Sequence, residues 1–413
     1  MKILFISPRY RGGGAERCAR ELFLGMRERG HSTEMWTAVP EEDVPAGVQC
    51  VRTFAERLLY PVNYVDPVAD WRHISTRRKL DAIQPGDFDA VHLHNIHGHW
   101  ISIKALHRLC QRLPVVWTLH DEWAATGGVP YDLTRWPGLN DRLDGYRKRT
   151  SSLVPLTTGE PVAVCWERFL SANLPPVAAV VSPSEYVLAL AAERFQTERT
   201  SLHHVPNASR LHGADIAADR TTSTDPPQVL FIAANPMSPY KGGDFAIEAL
   251  QKLETQAGPD TFRLLILGRQ AEEFQQLLPR SISCQSGYAS SEAELLSAYQ
   301  NSAVTLLPSI AENYPYVALE SLRAGTPVVG FRIGGLPEII RNSAQGKLVA
   351  PFNTTELAEG LLRFLSRSKS ETPDQDIMRA GLSDFPAFLS RMEDLYQHHA
   401  VPSEERCVSG SVA

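Results

Sequence analysis

Short apolar runs alternate with amphipathic segments along this chain, in two blocks separated by one break. That rhythm limits the fold more than any single motif does. In the first block the runs are KILFIS (2–7), TEMWTA (33–38), DAVHLHN (89–95), PVVWTLH (114–120) and VAAVVSPS (177–184). Between or after them come helical patterns: AERCARELFLGMRER (15–29), with Ala15, Leu22, Phe23 and Met26 on one side and Gly30 as its stop, ISIKALHRLCQRL (101–113) and SEYVLALAAERF (184–195). In the second block the runs are QVLFIAA (228–234), FRLLILG (262–268), VTLLPS (304–309) and PVVGF (327–331). Its helices are GDFAIEALQKL (243–253), expected to be capped by Asp244, SEAELLSAYQ (291–300), opened by a Ser291–Glu294 capping box, and a segment at about 315–324. Apolar strands alternating with helices predict parallel sheets covered on both faces. The break, PNASRLHGADIAADRTTSTDPP (206–227), is polar and lacks an apolar period, so it reads as a linker. The expected organisation is a domain over 1–205, the linker, a domain over 228–384, a helix over 385–399 and a frayed tail over 400–413. Two such domains facing across a cleft place their sites at the carboxyl ends of the strands.

Composition narrows the function class. The 413 residues are 43% hydrophobic and 21% charged, which suits a globular chain with real cores. A net charge of −6, split as +1 over 1–205 and −7 over the rest, argues against a nucleic-acid partner. The six cysteines stand singly with no CxxC, so neither a zinc motif nor a disulfide framework is expected. The opening MKILFISPRY reads as a strand, too short for a signal peptide, and no apolar run reaches the length of a membrane span. A cytoplasmic protein is the expectation, with peripheral membrane contact open.

The unusual residues fall where strands end. RYRGGGAER follows the first strand, and Gly12, Gly13 and Gly14 let backbone approach a ligand or simply make a tight turn. It is not GxGxxG, so a dinucleotide site is disfavoured. His120 and Asp121 close PVVWTLHD, and His120 either faces the cleft or bonds into its own loop. VHLHNIHGHW carries His92, His94, His97 and His99. The spacing fits no standard zinc pattern, so no metal site is assigned. Lys241, in NPMSPYKGGD, sits before two glycines and a helix start, a position suited to phosphate or to solvent. ENYPYVALE (312–320) brackets a strand-to-helix junction with two glutamates. Pro315 suits the first helical position, and the amides of Tyr316 and Val317 then make an anion site edged by carboxylates. A carboxylate accepts from hydroxyls and does not bind phosphate. The ligand so described is a phosphate flanked by two hydroxyl-rich pieces, which a nucleotide-sugar satisfies.

PSIAENYPYVALESLRAGTPVVGFRIGGLPEII (308–340) resembles the Glu-x7-Glu signature of the retaining GT-B glycosyltransferases of family 4 (group 1). GGGAER, TLHDEWAATG, VSPSEYV, VPNAS, KGG and GKLVAPFNTTELAEGLLRFL extend the resemblance over nearly the whole chain, and VWTLHDEWAATGG is most similar to transferases of colanic-acid-type exopolysaccharides. The resemblance implies an α/β GT-B fold: an acceptor-side first domain, a nucleotide-sugar-binding second domain and a last helix returning to the first. It implies that Glu320 holds the donor ribose and Glu312 contacts the transferred sugar. The diphosphate would lie on the backbone around Tyr314, Pro315, Tyr316 and Val317, with Lys241. His120 would touch the donor sugar, while Gly13 and Gly14 let backbone approach. Asn235, Gly268 and Tyr288 are the further donor-side candidates, the last two near the base. The family's Arg five residues before the Lys is missing, since Asn235 or Pro236 stands there, and Arg269 is the substitute considered.

The expected reaction moves a sugar from a UDP- or GDP-linked donor to a glycan or lipid-linked oligosaccharide hydroxyl with retention, and needs no cofactor. No metal is invoked, because no DxD-like pair ends a strand. The expected place of work is the cytoplasmic side of the inner membrane, with segment 124–176 shaping the acceptor site and the basic stretch RLDGYRKRT (142–150) either touching anionic lipid or standing in solvent. Two other readings share the pattern: a sugar-nucleotide epimerase, and a non-catalytic nucleotide-sugar or glycan-binding protein.

Overall fold

A computed structural model describes residues 1–58, 70–136, 138–139, 141–142, 160–195, 197–211, 225–366 and 375–400. The chain forms two compact units. Unit 1 runs β1 (Lys2–Ile6), α1 (Gly14–Glu28), β2 (Ser32–Thr37), β3 (Val48–Cys50), α2 (Phe54–Leu58), α3 (Ile74–Ala82), β4 (Ala90–His94), α4 (Ile103–Cys110), β5 (Val115–Thr118), α5 (Trp123–Thr126), α6 (Glu160–Asn173), β6 (Ala179–Ser182), α7 (Glu185–Phe195) and β7 (Ser201–His204). Unit 2 runs β8 (Gln228–Ile232), α8 (Gly243–Ala257), β9 (Arg263–Leu267), α9 (Ala271–Gln275), β10 (Cys284–Gly287), α10 (Glu292–Gln300), β11 (Val304–Leu307), α11 (Tyr316–Arg323), β12 (Val328–Phe331), α12 (Leu336–Ile339), β13 (Gly346–Val349), α13 (Thr354–Leu365) and α14 (Gln375–Arg379). The last helix, α15 (Phe385–His399), belongs to unit 1.

Every strand pair is parallel. The orders are β3-β2-β1-β4-β5-β6-β7 and β10-β9-β8-β11-β12-β13. Strand order reverses at β1/β4 in unit 1 and at β8/β11 in unit 2, the positions where open α/β sheets leave a crevice at the carboxyl ends. The central strands β4, β5, β6, β11 and β12 are buried on both faces, as their unbroken apolar runs require. In α1 the buried stripe is Cys18, Ala19, Leu22, Phe23 and Met26, with Cys18 and Ala19 where the sequence pointed to Ala15. Gly30 ends α1 at φ +87, with its amide on the Arg27 carbonyl.

Several local expectations change. Asp244 does not cap α8: the cap is Gly242, in left-handed backbone, and Asp244 pairs with Arg142 instead. Ser291 does accept from the Glu294 amide (3.2 Å), but the Glu294 carboxylate reaches back to Ser290. Pro315 is the extended N-cap of α11 and not its first residue. The polar segment at 206–227 is not solvent-exposed at its start. Ala208, Ser209 and Leu211 are buried in unit 2, and the division falls after Asn207. Leu133 to Arg142, inside the first block of sequence, also belong to unit 2. Arg142 anchors them through Asp244 (2.8 Å) and Glu248 (2.7 Å), 3.8 Å above the Phe245 ring, while Trp136 meets Phe352 edge-on.

Candidate active site

In unit 2 the carboxyl ends of β8 and β11 carry Lys241 and Glu312, and the two side chains join at 2.7 Å. The loops behind them are fastened backbone to backbone. The Ile310 amide donates to the Tyr240 carbonyl at 3.0 Å. Gly242, at φ +68, lies so near β11's exit that a Cβ there would sit 1.8 Å from the Pro308 carbonyl oxygen. On the other side Gly334, at φ +49, would place a Cβ 1.7 Å from the Glu312 carbonyl oxygen, and the Gly335 amide donates to Asn313 at 2.9 Å. Glycines on two neighbouring loops therefore let the chain close on Glu312 from both sides. The KGG and IGG of the sequence carried this signal, but only the three-dimensional neighbours reveal what each glycine makes room for.

α11 begins beside this pair. The Ala318 and Leu319 amides turn back to the Pro315 carbonyl (3.1 and 3.4 Å), which leaves the Tyr316 and Val317 amides at the head of the helix. Those amides and the Lys241 ammonium, whose side chain is 31% exposed, are the positive groups at the switch point. Tyr314 is a core residue, packed with Leu307, Ala318 and Leu319, and burial pushes its phenol up to about 12. Tyr316 is buried as well, so these tyrosines offer a ligand their backbone more than their rings.

Glu320 is 2% exposed. Its carboxylate accepts from the Ser209 hydroxyl and the Tyr299 hydroxyl, each at 3.2 Å. Asn235 accepts from the Met237 amide in its own loop and donates to Gln270 in the loop after β9. Gly268 would push a Cβ to 2.0 Å from the Ala233 carbonyl oxygen, so it joins the loops after β8 and β9. Tyr288 is exposed and lines an open groove of about 750 Å³ along β9 and α10, with Leu267 and Glu294. Arg269 is exposed, and its Nε donates to the Ala234 carbonyl at 3.3 Å. Of the basic stretch 142–150, only Arg142 lies among the described residues. It is turned onto α8 by its carboxylate partners, and the remainder lies outside them.

In unit 1 the residues after β1, β4 and β5 meet. Gly13 caps α1 without a side-chain bond, and the Glu16 carboxylate folds back so that a Cβ on Gly12 would come within 2.9 Å of it. His120 Nε2 bonds His94 Nδ1 at 2.8 Å with stacked rings, and burial brings His120 down to about 4. Burial also holds His92 and His94 far below the usual range. His92 bridges Thr118 and the α15 residue Tyr396, both at 2.7 Å. His97 behaves oppositely. Burial pulls it down, but the Asp121 carboxylate at 2.7 Å outweighs this and raises it. Of the four histidines in HLHNIHGH, His92 and His94 thus serve the interior, while His97 pairs with the Asp121 carboxylate, a contact that the sequence reading missed. Cys18, His94 and His120 each bring a potential ligand atom within 4.8 Å of the others, the one such group among the described residues.

Comparison with known proteins agrees with this layout. The family model for glycosyl transferases group 1 matches residues 215–377, and the model for glycosyltransferase family 4 matches residues 12–209. An uncharacterised glycosyltransferase of Methanocaldococcus jannaschii is 24% identical over 380 residues, covering 89% of each chain. WcaC of Escherichia coli K12, named for colanic acid biosynthesis, is 24% identical over 316 residues, 71% of this chain and 70% of its own. Among solved structures, Anabaena HepE in complex with UDP-glucose superposes with a TM-score of 0.62 at 17% identity, over 96% of this chain and 100% of that one.

Proposed function

The chain belongs to the glycosyltransferases of group 1 and family 4 and has their GT-B fold, and we propose that it transfers a sugar, with retention and without a metal, from a UDP- or GDP-linked donor to a hydroxyl of a glycan or lipid-linked acceptor in surface polysaccharide synthesis. The observation that carries this reading is the Lys241–Glu312 pair at the β8/β11 switch point, beside the head of α11. HepE's complex with UDP-glucose supports the donor class, and WcaC the pathway class.

The pair explains how one site serves both phosphate and sugar. Without ligand, Lys241 and Glu312 satisfy each other. An arriving diphosphate takes Lys241, and Glu312 turns to a sugar hydroxyl, which a carboxylate accepts from. As the glycosidic bond breaks, charge gathers on the leaving diphosphate, where Lys241, released from Glu312, and the α11 amides would stabilise it. Preorganised donors of this kind commonly supply the largest share of rate. The leaving phosphate oxygen takes the acceptor's proton, so no separate base is required. His120, held neutral, donates or accepts at a sugar hydroxyl and brings no charge.

The test is product analysis with a panel of nucleotide-sugars. Donor plus a lipid-linked oligosaccharide acceptor must release nucleoside diphosphate and give a product of unchanged anomeric configuration by NMR. An epimer formed from donor alone, or binding with no diphosphate released under any acceptor, would displace this reading.

A further inference from the structure

Cys18, His94 and His120 come from three separate elements of unit 1. Cys18 lies on the second turn of α1, His94 ends β4, and His120 sits in the turn after β5. β1, β4 and β5 are neighbours in the sheet, and α1 packs against β1 and β4, so the topology gathers groups that lie far apart in the chain. No spacing in the sequence could reveal them. His92 does not join the group, because its two nitrogens are taken by Tyr396 and Thr118.

His94 is 0% exposed, yet its Nε2 has no hydrogen-bond partner among the described residues. Its Nδ1 meets His120 Nε2 at 2.8 Å, where two neutral rings have a single proton between them. A buried ring nitrogen left unsatisfied calls for a group that fits it. Cys18 is 1% exposed, and its thiol donates to Asn207 Oδ1 at 3.6 Å. A tetrahedral zinc, with nitrogen at about 2.0 Å and thiolate sulfur at about 2.3 Å, holds its ligand atoms about 3.5 Å apart. The ligand atoms of Cys18, His94 and His120 all lie within 4.8 Å of one another, so closing on a cation takes shifts of about 1 Å. One thiolate and two imidazoles form a donor set that favours zinc or copper(I) over magnesium and calcium. His120 is only half-buried, which gives a cation a way in from the carboxyl end of the sheet.

We propose that Cys18, His94 and His120 form an inhibitory zinc site. On binding, the Cys18 thiol releases its proton to solvent and its sulfur ligates the metal. Each ring gives one lone pair and keeps its proton on the other nitrogen, and no electron is transferred. A fourth position is left to Asn207 Oδ1 or water. Zinc takes no part in sugar transfer. It stops the reaction by withdrawing His120 from the sugar hydroxyl. That consequence rests on the transfer reading given above. Binding itself does not, because it is measured with neither donor nor acceptor.

The experiment titrates the full chain, reduced and stripped of metal by a chelator, with cobalt(II) as a coloured stand-in for zinc. Cobalt should bind with a near-ultraviolet thiolate-to-metal band and the strong visible bands of four-coordinate cobalt, and zinc should bleach both. Cys18→Ser should lose the thiolate band. Cys18→Ser and His94→Gln should each weaken zinc by about tenfold or more. Cys110→Ser, outside the group, should keep both signals. Metal-free melting curves show which variants fold, and His120→Asn, at a half-buried position, replaces either buried change that does not. Zinc should stop transfer in the wild type over the range that fills the cobalt site, and Cys18→Ser should need about tenfold more. No bound cobalt, cobalt bound without a thiolate band, or zinc affinity indifferent to the ligand changes would overturn the site. Zinc held there with transfer unaltered would overturn its inhibitory role. A chain that binds zinc through Cys18 but transfers no sugar even when metal-free would uphold the site and refute the transfer reading alone.

Discussion

Gly242 offers the sharpest perturbation of the proposed site, because its two costs can be separated. A Cβ there would stand 1.8 Å from the Pro308 carbonyl oxygen, where ordinary contact begins at 3.4 Å, so the two backbones must part by about 1.6 Å. The residue also sits at φ +68, where an L side chain costs roughly 1–2 kcal/mol. Gly30 supplies the control. At φ +87 it carries the same backbone cost, but nothing lies within 4 Å of its Cβ position. Gly30→Ala should therefore cost about 1–2 kcal/mol, and Gly242→Ala a further 1–3 kcal/mol from forced separation. The displaced turn carries Lys241, and a misplacement of about 1 Å at a reacting centre can cost on the order of 100-fold in rate. The assay is urea denaturation of both variants, with transfer rate measured on the folded protein. If Gly242→Ala cost no more than Gly30→Ala and kept its rate, the fastening of the Lys241 turn to β11 would be refuted.

Further outcomes follow from the same geometry. Gly334→Ala, which strikes the Glu312 carbonyl, should lower turnover more than donor affinity, as should Glu312→Ala, read from kcat against KM. Glu320→Ala should weaken donor binding and, by removing the acceptor of the Ser209 and Tyr299 hydroxyls, cost about 1 kcal/mol of stability for each bond in a denaturation curve. Stability should fall as pH drops from about 6.5 toward 4. His92, His94 and His120 are depressed in the folded state, so the unfolded chain binds their protons first, at about 1.4 kcal/mol per pH unit for each. His97, raised by Asp121, leaves this slope alone: its contribution is complete below about 6.5 and is lost only as pH rises through its raised folded value. A urea midpoint unchanged between pH 7.5 and 5.5 would count against it.

Much of the fold was legible in the sequence, and the omissions share a cause. β3, β7, β10 and β13 read as VQC, SLHH, CQSG and GKLV, without the apolar runs of the other strands. They are the four edge strands of the two sheets, buried on fewer sides, so selection for apolar side chains is weaker there. The candidate site divides in the same way. Lys241 and Glu312 could be named because each is a charge in the loop between a strand and the next helix, yet their pairing depends on β8 and β11 being neighbours, which chain order does not reveal. Ser209 and Tyr299 were beyond reach, lying 111 and 21 residues from the Glu320 they hold. Asp244 was misread as a cap because its partner, Arg142, comes from a segment that sequence continuity assigns to the other unit.

The role of Lys241 can be measured most directly by melting wild type and Lys241→Ala with UDP, GDP and their sugars. Ligand at 100 times its dissociation constant stabilises a native site by about 2.7 kcal/mol. The expected result is a raised melting temperature in wild type with at least one nucleoside diphosphate or its sugar, and at least a tenfold higher ligand requirement in Lys241→Ala. No stabilisation by any of them, or the same titration in both proteins, would contradict a diphosphate bound at the β8/β11 switch point.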